Sequence, residues 1–322
     1  MKTKIGIYGN NGHQIQWNLK NNPRAELVAA AAFDVASMPD DYANKENIRQ
    51  YETLEELIAD PNVEIISLAS PLRANQADDA IKCLLGGKHV YAEKPCALSE
   101  FDLDRIVNTS EKAGKIFHEM AGSAFDQPYL SMKKIVESGV LGTIIQVFSQ
   151  KSYPYHERRP QDEKIDGGLL CQVSVHASRF VEHVAGMRIK DISAIETSLG
   201  NPEKDGGLRM AASMMMTLEN GGIATIIANY LNPPAFKLWG NEHLRIFGSK
   251  GFIESVDGGI KTRLVLQDKD MGAIDVSEPS IDYFEMFLDE LRGASMPFSL
   301  ETELHPVRML IRAKEALDNK NK

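Results

Sequence analysis

The chain has 322 residues, 43% of them hydrophobic and 25% charged, and a net charge of -9. A length of this order predicts about two domains of ~150 residues each, and the apolar fraction suffices for two globular cores. The acidic balance disfavours a nucleic-acid partner, because that affinity comes largely from lysine and arginine side chains that contact phosphates.

Membrane and metal partners are disfavoured as well. No apolar run approaches the ~20 residues that span a bilayer, and the strand-like pattern begins almost at the first residue, which leaves no room for a secretory signal peptide. The three cysteines, Cys83, Cys96 and Cys171, lack the spacing of a metal site. We therefore expect reduced thiols, a cytoplasmic location and no metal.

Residues 1–122 alternate short apolar runs with helical patterns. One helix is predicted to begin after Thr53, which can form a capping box with Glu56. The alternation favours a parallel sheet covered by helices on both faces. The predicted strands are KIGIYG, AELVAAAAFD, VEIISLASP, HVYAEKP and KIFHEM, and the predicted helices are GHQIQWNLKNNP, TLEELIADP, NQADDAIKCLLGGK and SEFDLDRIVNTSEKAG.

Strands dominate residues 123–322. Turns at 220–222 and 248–251 contain residues that tolerate positive φ, which predicts hairpins. We therefore expect an α+β domain with a large, mainly antiparallel open sheet. After the helix YLSMKKIVESG come the strands IIQVFSQ, ISAIETSLG, LRMAASMMMTLE, GIATIIANYL, LRIFG, GFIESV and TRLVLQ, a helix around 172–185, and the closing helices IDYFEMFLDELRG and PVRMLIRAKEALD.

The segment IGIYGNNGHQ lies where the first strand meets the first helix. Gly9 and Gly12 allow the backbone to approach a pyrophosphate, but Asn11 and Gln14 replace two glycines of the G-x-G-x-x-G fingerprint. We expect Gln14 to hold the first helix slightly away from the sheet. Asp34 follows by roughly 20 residues, the spacing of an acid that binds the ribose diol of NAD and repels a 2′-phosphate. An ordinary strand–turn–helix without a ligand is the alternative.

The triplet Glu93-Lys94-Pro95 follows directly after the fourth apolar run. Because ligands of an open parallel sheet bind beyond the carboxyl ends of the strands, we expect Lys94 at that edge. Pro95 restricts the backbone that aims the lysine side chain, and the bond before it can be cis at low cost. A solvated surface lysine is the alternative, and position alone favours neither.

Four segments resemble one family of oxidoreductases. GGKHVYAEKPCALS closely resembles the A-G-K-H-V-x-x-E-K-P signature of the glucose-fructose oxidoreductase, inositol dehydrogenase and MocA family, and SPLRANQADDAIKCLLGG is similar to the strand and helix that precede it. SMKKIVESGVLGTI and LRIFGSKGFIE resemble later motifs of that family. The resemblance implies a doubly wound α/β Rossmann domain, a following α+β domain, a nicotinamide cofactor, and a lysine, here Lys94, that reaches substrate and nicotinamide.

The segment DGGLLCQVSVHASRFVEHVAG resembles the family's G-G-G-x-L-x-D-x-G-x-H-x-x-D motif. The resemblance implies that His176 acts as acid and base from a helix facing the active site. Gln172 is four residues before His176 and shares its helical face, but it stands where the family usually has aspartate. Since glutamine brings no charge to stabilise a protonated imidazole, we expect His176 to be a weaker base. A structural histidine is the alternative.

These residues lead to a specific functional hypothesis. We expect an NAD-dependent dehydrogenase or reductase of a polyol, sugar or sugar derivative, with Lys94 and His176 at the reacting hydroxyl or carbonyl and NADP the less favoured cofactor. Two alternatives stay open. One is a redox-neutral enzyme that recycles tightly bound NAD, and the other is a non-catalytic sensor that binds nucleotide and sugar.

The hypothesis assigns a role to each part of the chain. Residues 1–122 are expected to bind the dinucleotide. The family resemblance implies that residues 123–322 bind the substrate and form a homodimer or homotetramer through their sheet. Gln172, Tyr155 and Arg158 are expected to contact the substrate. The expected cofactor contacts are Gly9, Asn11, Gly12, His13, Asp34, Ser70, Pro71, Asn75, Glu93 and Lys94.

Overall fold

The computed structural model describes residues 2–320, which group into two compact units. The predicted division between residues 122 and 123 is a single cut in the sequence, whereas two later segments of the chain group with the first unit. The outer limits of that prediction, residues 1 and 322, lie outside the described residues. The first unit extends to Met120 and includes Lys164–Asp166 and Phe284–Leu300, and the second consists of Ala121–Glu163, Gly167–Tyr283 and the chain from Glu301 onward.

The first unit is built on a parallel sheet with the strand order β3-β2-β1-β4-β5-β6. All neighbouring strands are parallel, so their carboxyl ends share one edge, and the chain order reverses between β1 and β4. Doubly wound sheets bind ligands at such a switch point. The elements are β1 (Thr3–Tyr8), α1 (Gln16–Leu19), β2 (Ala25–Ala31), β3 (Arg49–Tyr51), α2 (Leu54–Ala59), β4 (Ile65–Leu68), α3 (Gln76–Leu85), β5 (His89–Ala92), α4 (Glu100–Ala113) and β6 (Phe117–Glu119).

Two features of this unit differ from the prediction. The edge strand β3 was missed, because its residues are exposed or half-buried and form no apolar run. The first helix was predicted over residues 12–23 but contains only the four residues of α1. Gly12 has a φ of +120°, outside the helical region. At the other end, the Oδ1 atom of Asn22 accepts the N–H groups of Arg24 and Ala25, so the chain has already left the helix there.

The second unit contains a sheet with the order β14-β13-β12-β11-β7-β10-β9-β8. The β7–β10 pair is parallel and the other pairs are antiparallel, which confirms the predicted fold class. Burial alternates along β9, so one sheet face packs on the core. Its elements are α5 (Tyr129–Glu137), β7 (Ile144–Ser152), α7 (Ser174–Arg179), β8 (Ile189–Thr197), β9 (Ala211–Leu218), β10 (Ile223–Asn229), β11 (Asn241–Gly248), β12 (Gly251–Val256), β13 (Lys261–Leu266) and β14 (Lys269–Gly272). The short helix α6 (Glu163–Asp166) follows β7 in the chain, and all but its first residue group with the first unit.

The helix predicted around residues 172–185 is present but irregular. π-helical turns at Leu169–Val173 and Phe180–Val184 flank α7. A π turn adds a residue to the helical repeat, and such turns occur frequently at functional sites. The regular spacing that we assumed for this segment therefore holds only within α7.

Two helices close the chain, α8 (Tyr283–Glu290) and α9 (Leu300–Lys320). The sequence predicted that the last helix begins at Pro306, but α9 begins earlier and continues through the proline. Pro306 has no N–H for the carbonyl of Thr302, and the Nε2 atom of His183 lies 3.1 Å from that carbonyl oxygen instead. Among the described residues, no helix combines the length and apolar character needed to cross a bilayer.

Candidate active site

The turn between β1 and α1 brings backbone very close to its neighbours. Gly9 has a φ of +70°, and a Cβ atom there would lie 2.1 Å from the carbonyl oxygen of Ala69. Gly12 has a φ of +120°, and its Cβ atom would lie 2.7 Å from the side chain of Glu93. Glycine alone fits both positions. Bare backbone at the carboxyl edge of the sheet suits the close approach of a pyrophosphate.

The two residues that replace fingerprint glycines are both hydrogen-bonded. The Nδ2 atom of Asn11 donates to the carbonyl of Ile165. The Nε2 atom of Gln14 donates to two carbonyls at the end of β1, at 2.8 and 2.9 Å, and its Oε1 atom accepts from the hydroxyl of Ser67 at 2.6 Å. Gln14 therefore joins the ends of β1 and β4, whereas the sequence led us to expect a bulky spacer beneath the first helix.

Glu93 and Lys94 form a buried pair just beyond β5. The carboxylate and ammonium are 3.8 Å apart, and each side chain is 2% exposed. The imidazole of His13 lies 3.3 Å from the same carboxylate and is itself mostly exposed. Burial alone would raise the pKa of Glu93, but the charge of Lys94, the hydrogen bond to His13 and the charge of Arg73 lower it to about 2. The peptide bond between Lys94 and Pro95 is cis.

Three buried polar side chains hold the backbone around Lys94. Gln76 donates through Nε2 to the carbonyls of the two residues that flank the lysine. Arg73 donates to Gln76 and to a carbonyl of the glycine turn, and Glu119 accepts the N–H of Cys96 at 2.6 Å. Sequence reasoning missed these residues. The only signal was the polar Arg73 and Gln76 three positions apart at the start of a helix.

The other predicted cofactor residues differ in accessibility. Asp34 is exposed after β2, and its Oδ1 atom accepts a backbone N–H of the following turn at 2.9 Å. Ser70 is fully buried, and its hydroxyl donates to Asp79 at 2.8 Å. Pro71 and Asn75 are exposed. The side chains of Asp34 and Asn75 are therefore open to solvent, whereas the hydroxyl of Ser70 is directed into the fold.

In the second unit, the half-buried His176 lies on α7 between two hydroxyl groups. The Oγ atom of Ser123 is 3.4 Å from its Nδ1 atom, and the hydroxyl oxygen of Tyr153 is 3.4 Å from its Nε2 atom. The rings of Tyr153 and His176 meet edge to face with 6.4 Å between centroids. A hydroxyl group can donate or accept, so this arrangement orients the imidazole in either neutral tautomer.

Tyr153 is buried directly after β7 and was not among the residues predicted to contact substrate. The Nζ atom of Lys151 lies 4.7 Å from the centroid of its ring and forms an ion pair with Glu242. A cation over an aromatic face is attracted to it. No sequence pattern singled out Tyr153, because the buried residues before it, Ser149, Lys151 and Ser152, are polar and show no apolar alternation.

The three predicted substrate contacts are placed differently. Gln172 is half-buried in the π turn before α7, Tyr155 is half-buried, and Arg158 is exposed. The neighbouring Arg159 is the buried arginine of this loop, and its guanidinium lies 3.7 Å from the centroid of the Tyr230 ring. The choice between adjacent arginines could not be made from sequence, because the loop has no regular period.

Comparison with known proteins defines the class to which this fold and these motifs belong. Residues 4–120 match the oxidoreductase family with the NAD-binding Rossmann fold. Residues 129–254 match the GFO/IDH/MocA C-terminal domain. Together the two matches cover most of the chain, which belongs to the GFO/IDH/MocA family of oxidoreductases.

Individual relatives are distant in sequence. Myo-inositol 2-dehydrogenase of Thermotoga maritima is 26% identical over 251 residues, which covers 76% of this chain and 72% of that protein. A solved structure from Thermotoga maritima has a TM-score of 0.86 at 22% identity and covers 98% of both chains. The aldose-aldose oxidoreductase of Caulobacter crescentus, solved with glycerol, has a TM-score of 0.82 at 18% identity and covers 99% of this chain and 98% of that one. At these identities the structural likeness shows the fold.

Proposed function

We propose that the protein is an NAD-dependent dehydrogenase or reductase that transfers hydride between nicotinamide and a hydroxyl or carbonyl carbon of a polyol, sugar or sugar derivative. The main supporting observation is Lys94, which is 1% exposed in a rigid turn at the carboxyl edge of a Rossmann sheet. The inositol and aldose substrates in the names of two similar proteins favour a polyhydroxylated substrate here.

The glycine turn and Asp34 fit NAD. Gly9 and Gly12 leave backbone where a pyrophosphate needs it, and the exposed carboxylate of Asp34 suits a ribose diol and would repel a 2′-phosphate. Asn11, His13, Pro71, Asn75 and the Glu93–Lys94 pair would complete the cofactor contacts, with Ser70 contributing backbone. When bound, NAD supplies the ring that accepts or returns the hydride.

Lys94 and His176 have different roles at the substrate oxygen. Lys94 stabilises the negative charge that develops as the hydroxyl loses its proton, while the ionised Glu93 at 3.8 Å balances the ammonium. His176 takes that proton in oxidation and returns it in reduction, a contribution worth roughly 10²–10⁴-fold. The hydroxyls of Ser123 and Tyr153 orient the imidazole, and Gln172 contributes a polar contact without charge.

A panel of inositols, aldoses, ketoses, sugar acids and disaccharides, each incubated with NAD and with NADP, tests this function. We expect net formation of reduced nicotinamide with at least one sugar or polyol, with NAD favoured by about tenfold or more because of Asp34. Product formation without net NADH by protein that retains nicotinamide through purification would instead identify a redox-neutral enzyme. Absence of turnover across the panel in both directions would contradict the proposal.

A further inference from the structure

Trp239 is an exposed aromatic side chain on a fixed backbone. It is 58% exposed and lies in the loop between β10 and β11. The buried Asn232 donates from Nδ2 to the carbonyl of Trp239 at 3.2 Å and to the last carbonyl of β7 at 3.0 Å. The backbone at Trp239 is therefore held by Asn232, while the indole remains open to solvent.

Other side chains restrict the indole ring itself. The ring of His156 stacks on it with 5.8 Å between centroids and 25° between planes, and the ring of Tyr153 lies at 5.8 Å with a tilt of 42°. The guanidinium of Arg159 is 6.0 Å from the indole centroid. Burial first, then the charges of Arg159 and Arg158, lower the pKa of His156. His156 is therefore a neutral hydrogen-bonding group beside the indole at pH 7.

This aromatic cluster begins one side chain away from His176. Tyr153 contacts both, with ring centroids 6.4 Å from His176 and 5.8 Å from Trp239. The centroids of the imidazole and the indole are therefore at most about 12 Å apart. We call Trp239, His156 and Tyr153 the Trp239 platform.

We propose that the Trp239 platform binds a second pyranose ring, so that the substrate is a glycoside or disaccharide whose reacting ring lies at His176. The inference rests on the proposed function. One face of a pyranose is largely C–H and packs against an indole, while its equatorial hydroxyls remain available to polar groups such as His156. Since Trp239 is already fixed, the ring binds without a further loss of side-chain freedom, which favours affinity.

Fluorescence tests this binding without any turnover. Trp17 and Trp239 are the two tryptophans of the chain, so a Trp17→Phe variant emits from Trp239 alone. We expect a saturable emission shift when cellobiose, maltose or lactose is added, and no shift with glucose or galactose at equal concentration. A shift with neither group would overturn the proposal even if the enzyme oxidises sugars. A shift in an enzyme without turnover would retain the subsite and reject the catalytic function.

Kinetics give the second test, with the sugar that the substrate panel identifies and its phenyl glycoside. Trp239→Ala should raise KM for the glycoside about tenfold and change kcat little. Both KM and kcat for the monosaccharide should stay unchanged. Leu231→Ala, in the same loop and 56% exposed, is the matched control and should alter neither substrate. An equal fall in kcat/KM for the glycoside and for the monosaccharide would mean that Trp239 only supports the loop, and the proposal would fail.

Discussion

Glu93 and Lys94 place two ionisable groups where water scarcely reaches, since each side chain is 2% exposed. Moving such charges out of water costs several kcal/mol per ion even after relaxation, and their attraction regains this only with excellent geometry. The carboxylate carries its charge at pH 7, because the nearby cations lower its pKa to about 2 against the effect of burial. A contribution to folding stability is therefore a poor explanation for the buried ion pair, and a functional requirement for the ammonium is a better one.

Asp34 gives a prediction about cofactor choice. Asp34→Asn removes the charge but can keep the hydrogen bond that the side-chain oxygen accepts from the following turn. We expect the preference for NAD over NADP to fall about tenfold, since a 2′-phosphate is no longer repelled. Steady-state kinetics with both cofactors measure the ratio. Asp40→Asn, a nearby exposed carboxylate, is the control, and an unchanged ratio in Asp34→Asn would remove it from cofactor recognition.

At the residue scale, sequence predicted positions better than orientations. The Glu-Lys-Pro triplet was located because it follows an apolar strand directly, and the buried lysine agrees with the expectation of a residue directed away from solvent. Tyr155 and Arg158 stay predicted substrate contacts, and the structure places the first half-buried and the second exposed. Which side chain of an irregular loop turns inward depends on packing partners such as Tyr230, which lie far away in sequence.

At the scale of elements, α9 depends on a residue outside it. Pro306 leaves the carbonyl of Thr302 without its helical donor, and His183 lies in that place at 3.1 Å. Burial, aided by the charge of Arg179, lowers the pKa of His183 to about 4. The buried neutral imidazole can donate from Nε2, so a π turn and a helix support each other across the second unit.

This contact predicts how stability depends on pH. The pKa of His183 lies below its ordinary value of 6.5 in the folded state, so the unfolded chain binds the proton more readily, and stability falls as pH drops from 6.5 towards 4. At pH 5 the loss is about 2 kcal/mol. His183→Asn, which retains a donor, should lose less between pH 7 and pH 5 in urea unfolding. Equal losses in wild type and variant would contradict this.

Each element that the prediction missed or misplaced has a physical reason. The residues of the edge strands β3 and β14 are exposed or half-buried, so these strands form no apolar run. The first helix was overextended because its pattern ignored a glycine with positive φ. The capping box at Thr53, by contrast, was confirmed, because it depends on two residues that are close in sequence.

At the scale of the whole molecule, aromatic packing explains why a late segment groups with the first unit. Phe284 and Phe287 of α8 lie 5.3 and 5.7 Å from the ring of Tyr91 on β5, and His118 meets Phe287 edge-on. A cut at residue 122 follows the change in sequence pattern, but it cannot anticipate a helix that returns to an earlier sheet. Contacts between residues so far apart in the chain leave no local pattern in the sequence.

The outward face of the second sheet supports the proposal of self-association. Ile195, Met215 and Ile223 on β8, β9 and β10 are 70%, 68% and 49% exposed, and clustered apolar groups of this kind often mark interfaces. We expect a dimer or tetramer in sedimentation velocity, and Met215→Lys should shift it towards monomer because a buried unpaired ammonium is costly. Leu85→Lys, on the first unit, is the control. A wild-type monomer would refute this expectation.

The most direct test of the account is turnover by Lys94→Met, measured together with NAD affinity on the same preparation. We predict a fall in kcat of at least tenfold, while the dissociation constant of NAD changes by no more than about threefold. The double variant Glu93→Gln/Lys94→Met, which buries no charge at the pair, separates loss of the ammonium from loss of the fold and should be equally slow. Full turnover by either folded variant would contradict a catalytic role for Lys94.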